Sequence, residues 1–185
     1  MKKNKYAICV PLSGEVLKYA NNITNSLAKK YSINFINNKK SRPHINLFSG
    51  LTSTNLDKFS KTIKRNLKLV KLKNEKFKIP GLGIFLGKLP LIYLRFETPN
   101  NINKLRKLFY KSKNIWSEID SNVSFEKWVP KSTLVFKDLK IKDLSKVSNF
   151  ILRNKIPKEM KINEIVIIDF SAEEEKEIKV FKLIK

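Results

Sequence analysis

The hydrophobic positions of this 185-residue chain form short apolar runs that alternate with stretches of helical period. Apolar residues spaced three and four positions apart predict amphipathic helices, and short apolar runs predict strands. The predicted helices cover residues 15–31, a stretch from a cap at 53 or 54 to about 67, 99–114 and 142–152. The predicted strands cover 6–10, 33–36, 45–48, 69–72, 77–79, 84–86, 91–96, 134–136, 162–170 and 178–184. The segments 37–43 and 80–83 are predicted to be a polar loop and a turn.

The order of these elements is β-α-β-β-α-β, followed by a similar series. This order favours an α+β fold of two pseudo-symmetric lobes, each a mostly antiparallel sheet with two helices. The halves share no sequence identity, so the repeat is architectural. Because the chain contains no linker or low-complexity tract, we expect a single domain over residues 1–185.

The charge of the chain is strongly basic, with a formal net charge of +23. Such a field attracts phosphate polymers and accelerates encounters with them. Nearly all of the cations are lysines, however, and Lys, Asn and Ile are abundant together, as A/T-rich codons would also produce. Charge therefore favours a nucleic-acid or nucleotide partner without establishing one.

The cysteine and hydropathy patterns indicate the compartment. Cys9 is the single cysteine and lies in an apolar run, so it is predicted to be a buried thiol without a disulfide. The apolar stretch after the basic N-terminus has five residues, which is too short for a signal peptide, and no segment suits a membrane span. We expect a cytoplasmic monomer that does not enter a membrane.

The one histidine, His44, lies in the segment Arg-Pro-His-Ile-Asn-Leu-Phe, residues 42–48. On a strand, Arg42, His44 and Asn46 would share one face, while Ile45 and Leu47 would share the other. The apolar face would enter the core. The polar face would present a cation, an imidazole and an amide together.

A second segment, Trp-Val-Pro-Lys-Ser-Thr-Leu-Val-Phe, residues 128–136, repeats this layout. Lys131 and Thr133 would share one face, with Ser132, Leu134 and Phe136 on the other. Both segments read Pro, polar, any residue, small polar, Leu, and the second lies 87 positions after the first. Taken alone, each segment is also compatible with a structural strand that carries a surface polar residue.

Together the two segments resemble the Pro-His-x-Thr-Leu repeat of the two-histidine phosphoesterases, which include the 2′-5′ RNA ligase-like proteins and cyclic phosphodiesterases. The resemblance extends to Leu-Gly-Ile-Phe at 82–85, the strand at 91–96 and the closing strand at 161–170, which ends in Ser171. It implies two lobes that face each other across a central groove, with one motif strand in each wall.

The resemblance also implies the site residues and the chemistry. It places His44, Asn46, Lys131 and Thr133 at the catalytic positions, where the family uses a histidine acid–base pair and hydroxyl groups that hold phosphate oxygens. Arg42 is expected to bind the substrate phosphate. The implied substrates are RNA ends or cyclic and 2′-5′ linked nucleotides, and neither a cofactor nor a metal is expected.

The chain departs from the family motif at two positions. Asn46 stands where Thr or Ser is usual, but its amide can still donate to phosphate. Lys131 stands where the second histidine is expected, and an ordinary lysine, with a pKa near 10.4, is an acid rather than a base at neutral pH. Loss of one acid–base partner typically costs about 10²–10⁴-fold in rate.

Three readings of the function therefore remain. The chain is a phosphoesterase with an altered motif, a catalytically degenerate phosphate-binding protein, or a basic protein associated with a ribosome or membrane surface. Other features are predicted to have structural rather than functional roles. The acidic run 173–175 is predicted to be a solvated turn, and Tyr93 and Trp128 are predicted to pack in the core or groove wall rather than to stack on bases.

Overall fold

The strands of the protein form two antiparallel sheets, as seen in a computed structural model that describes residues 4–52, 56–72, 74–112, 118–119, 127–171 and 175–183. The strands are β1 (Asn4–Pro11), β2 (His44–Thr52), β3 (Lys76–Phe85), β4 (Leu91–Glu97), β5 (Glu118–Ile119), β6 (Lys131–Val135), β7 (Glu159–Lys161), β8 (Glu164–Asp169) and β9 (Lys176–Lys182). One sheet has the order β5-β2-β1-β8-β9 and the other the order β6-β4-β3-β7.

Two helices pack on each sheet. The helices are α1 (Gly14–Tyr31), α2 (Leu56–Leu69), α3 (Asn100–Lys111) and α4 (Leu144–Leu152), and a short 3₁₀ turn, Ile141–Asp143, precedes α4. Helix α3 contacts β2 of the five-stranded sheet, and α2 packs on α3 and on β1, where Phe59 meets Tyr6. Helix α1 crosses to the four-stranded sheet and contacts β6 and β7. Helix α4 joins α1 there through the edge-on contact of Tyr31 with Phe150. The predicted α+β fold with two antiparallel sheets and four helices is confirmed.

The two motif strands lie beside each other where the sheets meet. Each strand contains one extra residue relative to its neighbour, which is a β-bulge. In β2 the extra residue is Leu47, and in β6 it is Leu134. Both leucines lie three positions after the first polar residue of their motif, His44 or Lys131, so the backbones of the two segments are irregular at the same place.

The bulges change which side chains face the core. Leu47 and Phe48 are both buried, and so are Leu134 and Val135, although simple alternation would separate each pair. Phe136 therefore lines a cavity beside Thr133 instead of sharing the core face with Leu134. The prediction for Phe136 was wrong, because a bulge shifts strand parity by one residue.

Three further local predictions were wrong. Residues 33–36 form no strand, because a turn covers 35–38 and the Asn34 and Phe35 amides donate to the Asp138 carboxylate at 2.8 and 2.6 Å. Residues 69–72 form no strand, since Leu69 is the last residue of α2 and 70–72 follow it. The segment 80–83 is not a turn but continues β3, where a register shift accommodates Gly81 at a φ of 150°. Within the described residues, no helix has the length and apolar content that a membrane crossing requires.

Candidate functional site

The adjacent motif strands bring His44, Asn46, Lys131 and Thr133 to the wall of one cavity, which we call the motif cavity. Its volume is about 190 Å³. The alternation on each side of the bulges explains the arrangement, since Ile45 and Ser132 are buried while the four motif side chains are half-buried. The structure thus brings together four of the five residues that the sequence singled out. Trp128, Val129 and Phe170 complete the wall.

The imidazole of His44 is held in one orientation. Its Nδ1 lies 2.9 Å from the carbonyl oxygen of Arg42, and the ring of Phe170 contacts it edge-on at a centroid distance of 6.4 Å. A carbonyl oxygen only accepts, so Nδ1 carries the proton and Nε2 is the acceptor nitrogen of the neutral ring. Burial lowers the pKa of His44 below its ordinary value, against the opposing effects of the Arg42 carbonyl and Glu175. The ring is therefore neutral at pH 7.

The side chain of Arg42 contacts carboxylates. Its Nη1 donates to Glu164 at 2.6 Å, and its Nε and Nη2 donate to the two oxygens of Glu177 at 3.0 and 2.8 Å. These hydrogen bonds, led by those to Glu177, raise the pKa of Arg42. Arg42 precedes β2, so it does not share a strand face with His44 as predicted. Phosphate binding by its remaining N–H groups stays a prediction.

A buried cation supports β2 from behind. The indole N–H of Trp128 donates to the Asn46 carbonyl oxygen at 2.7 Å, and the Arg106 guanidinium lies 3.8 Å from the centre of the Trp128 ring. Arg106 is 2% exposed, and its Nε donates to the Leu47 carbonyl oxygen at 3.0 Å. Burial lowers the pKa of Arg106 to about 10. Trp128 is therefore part of the groove wall, where it fixes the motif backbone.

The amide of Asn46 has an unusual environment. Its Oδ1 is buried and accepts no hydrogen bond from the part of the chain that the structure describes. An enclosed acceptor without a donor is destabilising, and such an atom calls for a functional or local explanation. A ligand hydroxyl or an ordered water in the motif cavity would supply the missing donor.

The Lys131 side chain also lies near a pair of aromatic rings on β3 and β4. The Lys131 Nζ lies 5.6 Å from the centre of the Phe85 ring, and that ring packs on Tyr93 at a centroid distance of 4.9 Å. Tyr93 lies across Gly83 so closely that a Cβ there would meet ring atoms at 2.2–2.4 Å. Gly83 is therefore required for this stack. Tyr93 is 6% exposed and packs against Phe85 and Gly83.

A second cavity, which we call the side cavity, adjoins the motif cavity and has a volume of about 230 Å³. His44 and Thr133 line both cavities. In the side cavity, Glu175 accepts hydrogen bonds from Ser41 Oγ at 2.7 Å and from Lys39 Nζ. Burial alone would raise the pKa of the Glu175 carboxyl, but these hydrogen bonds outweigh it, so that pKa lies below its ordinary value.

Glu175 corrects the prediction of a solvated turn, because its side chain is 14% exposed and lines the side cavity. Residues 173 and 174 lie outside the described residues. Sequence reasoning also missed Lys39 and Ser41, which no pattern distinguishes from other polar loop residues. Phe170 was quoted only as the end of a strand. Within the described residues, no three His, Cys, Asp or Glu side chains come together as a metal site.

The two ends of the groove differ in charge. Glu164, Glu175 and Glu177 surround the Arg42–His44 end, and their cationic partners are Arg42 and Lys39. At the other end, Lys131 contributes a cation to the motif cavity. An anion in the groove would therefore be drawn toward Lys131 and away from the carboxylates. The uneven charge gives the groove a polarity that the sequence alone did not predict.

The sequence matches no protein-family profile and no curated protein. The structure, in contrast, resembles Escherichia coli LigT over the full length of both chains. The LigT structure complexed with ATP superimposes with a TM-score of 0.56 at 14% identity, and the complex with 3′-AMP with a TM-score of 0.55 at 12% identity. A crystal structure described as a phosphoesterase matches with a TM-score of 0.55 at 12% identity, again over both full chains. The chain shares its two-lobed α+β fold with LigT and with this phosphoesterase.

Proposed function

We propose that this protein is a 2′-5′ RNA ligase-like phosphoesterase, which hydrolyses 2′,3′-cyclic or 2′-5′ phosphodiester linkages of RNA ends or nucleotides. The observation that carries the proposal is the motif cavity itself. Two bulged strands, one from each sheet, place His44 and Asn46 opposite Lys131 and Thr133 in a fold shared with LigT. The convergence of an imidazole, an ammonium, an amide and a hydroxyl on one cavity supports acid–base and phosphate-holding roles for these residues.

The hydrogen bonding of His44 suits it for the role of general base. A base must present an unprotonated nitrogen, and the Arg42 carbonyl directs the proton of the neutral ring to Nδ1. The lowered pKa of His44 keeps Nε2 available at neutral pH. A water molecule between Nε2 and the phosphorus atom would lose its proton to this nitrogen as it attacks.

The reaction balances with Lys131 as the acid. The water oxygen forms a bond to phosphorus, one ester P–O bond of the cyclic or 2′-5′ phosphodiester breaks, and the Lys131 ammonium protonates the departing oxygen. His44 then holds the proton from water, and exchange with solvent restores both groups. Thr133 and Asn46 would donate to the non-bridging oxygens, whose charge grows in the transition state. No metal takes part in this scheme.

Lysine is an imperfect replacement for histidine in this scheme. An ammonium group of ordinary pKa is a weaker acid than imidazolium, so proton transfer to the leaving oxygen is less well matched to neutral pH. It still places a positive charge beside the anion that develops on the leaving group. We therefore expect turnover that is slow compared with a two-histidine site, with an optimum on the alkaline side.

A second candidate function rests on the same substitution. If Lys131 only attracts phosphate, the groove binds RNA ends or nucleotides without turnover. LigT has been crystallised with ATP, 3′-AMP, phosphate and NADP⁺, so its fold accommodates nucleotides of several kinds. The cation at Lys131 and the neutral His44 would serve such a binding protein equally well.

The deciding experiment is an assay of the purified protein against 2′,3′-cyclic nucleotides and 2′-5′ linked oligonucleotides. Turnover that His44→Ala abolishes and Lys131→Ala reduces supports the enzyme. Lys104→Ala, which removes an exposed lysine of α3, is the matched control and should leave the rate unchanged. Nucleotide binding without turnover in any variant supports the binding protein. Absence of both binding and turnover would mean that the groove is not a site for these nucleotides.

A further inference from the structure

We propose that the side cavity is a nucleobase pocket in which the Glu175 carboxylate selects guanine. The inference rests on the proposed function, because it assigns the base of the nucleotide whose phosphate occupies the motif cavity. It adds a specificity that the fold does not imply. The argument uses the size of the cavity, the nature of its walls and the hydrogen-bonding state of Glu175.

The size and walls of the cavity fit part of a nucleotide. A volume of about 230 Å³ lies below the about 300–1,000 Å³ that is typical of sites for whole drug-sized ligands. Ile36, Leu91 and Phe136 give it apolar and aromatic surfaces, which suit the faces of a planar heterocycle. Phe136 is held edge-on by Phe35 at a centroid distance of 5.7 Å, so this wall is supported from behind.

The charges around the cavity disfavour phosphate as its occupant. The two cations that line it are engaged by carboxylates, Lys39 by Glu175 and Arg42 by Glu164 and Glu177. Glu175 is half-buried and ionised, because Lys39 and Ser41 hydrogen-bond to its oxygens and keep its pKa low. A carboxylate of this kind repels a second anion and attracts N–H donors. The phosphate is then favoured at the Lys131 end, and a neutral group that carries donors is favoured beside Glu175.

The two oxygens of Glu175 define which donors fit. Ser41 bonds to Oε2 and Lys39 to Oε1, so each oxygen uses one of its lone pairs and retains capacity for one more donor. Two adjacent acceptors match two adjacent donors, and guanine offers N1–H beside its 2-amino group. Adenine and cytosine offer one amino group next to a ring acceptor. Uracil offers one N–H between two carbonyls, which the carboxylate repels.

The position of the cavity agrees with this assignment. His44 and Thr133 belong to both cavities, so a base beside Glu175 and a phosphate between His44 and Lys131 would be separated by a ribose. The guanosine would be the nucleoside that carries the 2′,3′-cyclic phosphate, or the one on one side of a 2′-5′ linkage. Glu175 therefore acts as a specificity residue and takes no part in proton transfer.

The test measures binding, so that it does not depend on turnover. Dissociation constants are determined by calorimetry for 3′-GMP, 3′-AMP, 3′-CMP and 3′-UMP, and for 3′-IMP, which keeps N1–H but lacks the 2-amino group. We expect 3′-GMP to bind about 10-fold or more tightly than the other three standard nucleotides, with 3′-IMP between, because each mismatch leaves an acceptor of the carboxylate unpaired.

The variant Glu175→Gln replaces one acceptor with a donor at nearly constant shape, and should reduce the guanine preference to within about threefold. Glu159→Gln is the matched control, since Glu159 is also paired with a lysine, Lys76, but lies on β7 away from both cavities. Circular dichroism of each variant verifies that the fold is retained.

The outcomes separate the two proposals. Equal binding of all the nucleotides by the wild-type protein, or a guanine preference that survives Glu175→Gln, overturns the assignment of Glu175 and leaves the proposed function intact. Failure of every nucleotide to bind overturns the nucleobase pocket, and the turnover assay on cyclic and 2′-5′ linked substrates then decides the proposed function separately. A guanine preference that disappears in Glu175→Gln and persists in Glu159→Gln confirms the pocket.

Discussion

Replacement of Arg42 by lysine tests how the protein orients His44, its proposed general base. Arg42 links the chain ahead of β2 to two other strands, through Glu164 at the start of β8 and Glu177 in β9. The carbonyl of the same residue accepts the Nδ1 proton of His44 at 2.9 Å. We therefore expect Arg42 to act as a positioning residue. Its side chain fixes the backbone that orients the imidazole.

The magnitude follows from the hydrogen bonds that lysine cannot make. Three groups of the guanidinium, Nη1, Nη2 and Nε, donate at 2.6, 2.8 and 3.0 Å, and Nε also lies 3.3 Å from the second oxygen of Glu177. A single ammonium at the end of a flexible chain replaces about one of these three donors. The side chain of Arg42 is 40% exposed, so solvent screening limits each lost contact to about 0.5–1 kcal/mol. The expected loss is about 1–2 kcal/mol in the free energy of unfolding.

The effect on activity should have a similar size. If about 1.4 kcal/mol of orientation is lost in the transition state, kcat falls about tenfold, while KM changes little because the substrate loses no contact. The assay is kcat and KM for a 2′,3′-cyclic nucleotide across pH, with urea unfolding on the same samples. Arg65→Lys, at an exposed position of α2, is the matched control. Glu177→Gln should act in the same direction and non-additively with Arg42→Lys.

Two patterns of results would refute this reasoning. If Arg42→Lys raises KM and leaves kcat and the pH profile unchanged, Arg42 binds the substrate phosphate, as the sequence led us to expect. Unchanged kcat, KM and unfolding free energy would mean that the ion pairs with Glu164 and Glu177 do not constrain the site.

Three other variants or conditions have defined outcomes. Lys131→His restores an imidazole, so kcat/KM should rise by up to about 10²–10⁴-fold, or the pH optimum of kcat/KM should move toward neutrality. Unchanged rates at all pH values would mean that Lys131 has no acid–base role. The pKa of His44 is lower in the folded chain than in the unfolded chain, which therefore binds more protons below about pH 6.5. The urea midpoint should accordingly fall as the pH is lowered from about 7.5 to about 5.5, and it should fall less steeply in His44→Gln. Equal slopes in the two proteins would mean that His44 is not buried as described. Gly83→Ala would place a methyl group 2.2–2.4 Å from ring atoms of Tyr93, and should destabilise the fold by about 1–3 kcal/mol in urea unfolding. The control Gly87→Ala meets no atom within 4 Å and should change stability by less than about 0.5 kcal/mol.

The sequence predicted well wherever periodicity was strong. Helix α1 was placed within one residue of its observed ends, and the polar face of β2 was correct at His44 and Asn46. Errors arose where a signal has two structural meanings. Pro80 and Gly81 indicated a turn, yet the same residue types also accommodate a bulge within a strand.

The site residues that sequence reasoning missed are brought in by long-range contacts. Glu175 accepts a hydrogen bond from Ser41, which lies 134 positions away in the chain, and no sequence pattern near either residue predicts this contact. An acidic run in a basic chain resembles a solubilising turn until the strand that follows it, β9, is placed beside β8. The side cavity therefore could not be predicted from local sequence patterns, whereas the motif cavity was predictable from two similar segments.

The matched bulges at Leu47 and Leu134 have a consequence for the direction in which a substrate lies. Equivalent backbones on both sides of a groove offer a phosphodiester two opposite orientations of similar geometry. Direction must then come from side chains, and here imidazole and carboxylate stand on one side while an ammonium stands on the other. For the proposed reaction, the exchange of a histidine for Lys131 makes the two orientations unequal. A near-symmetric scaffold thereby becomes one that distinguishes the attacking side of a linkage from its leaving side.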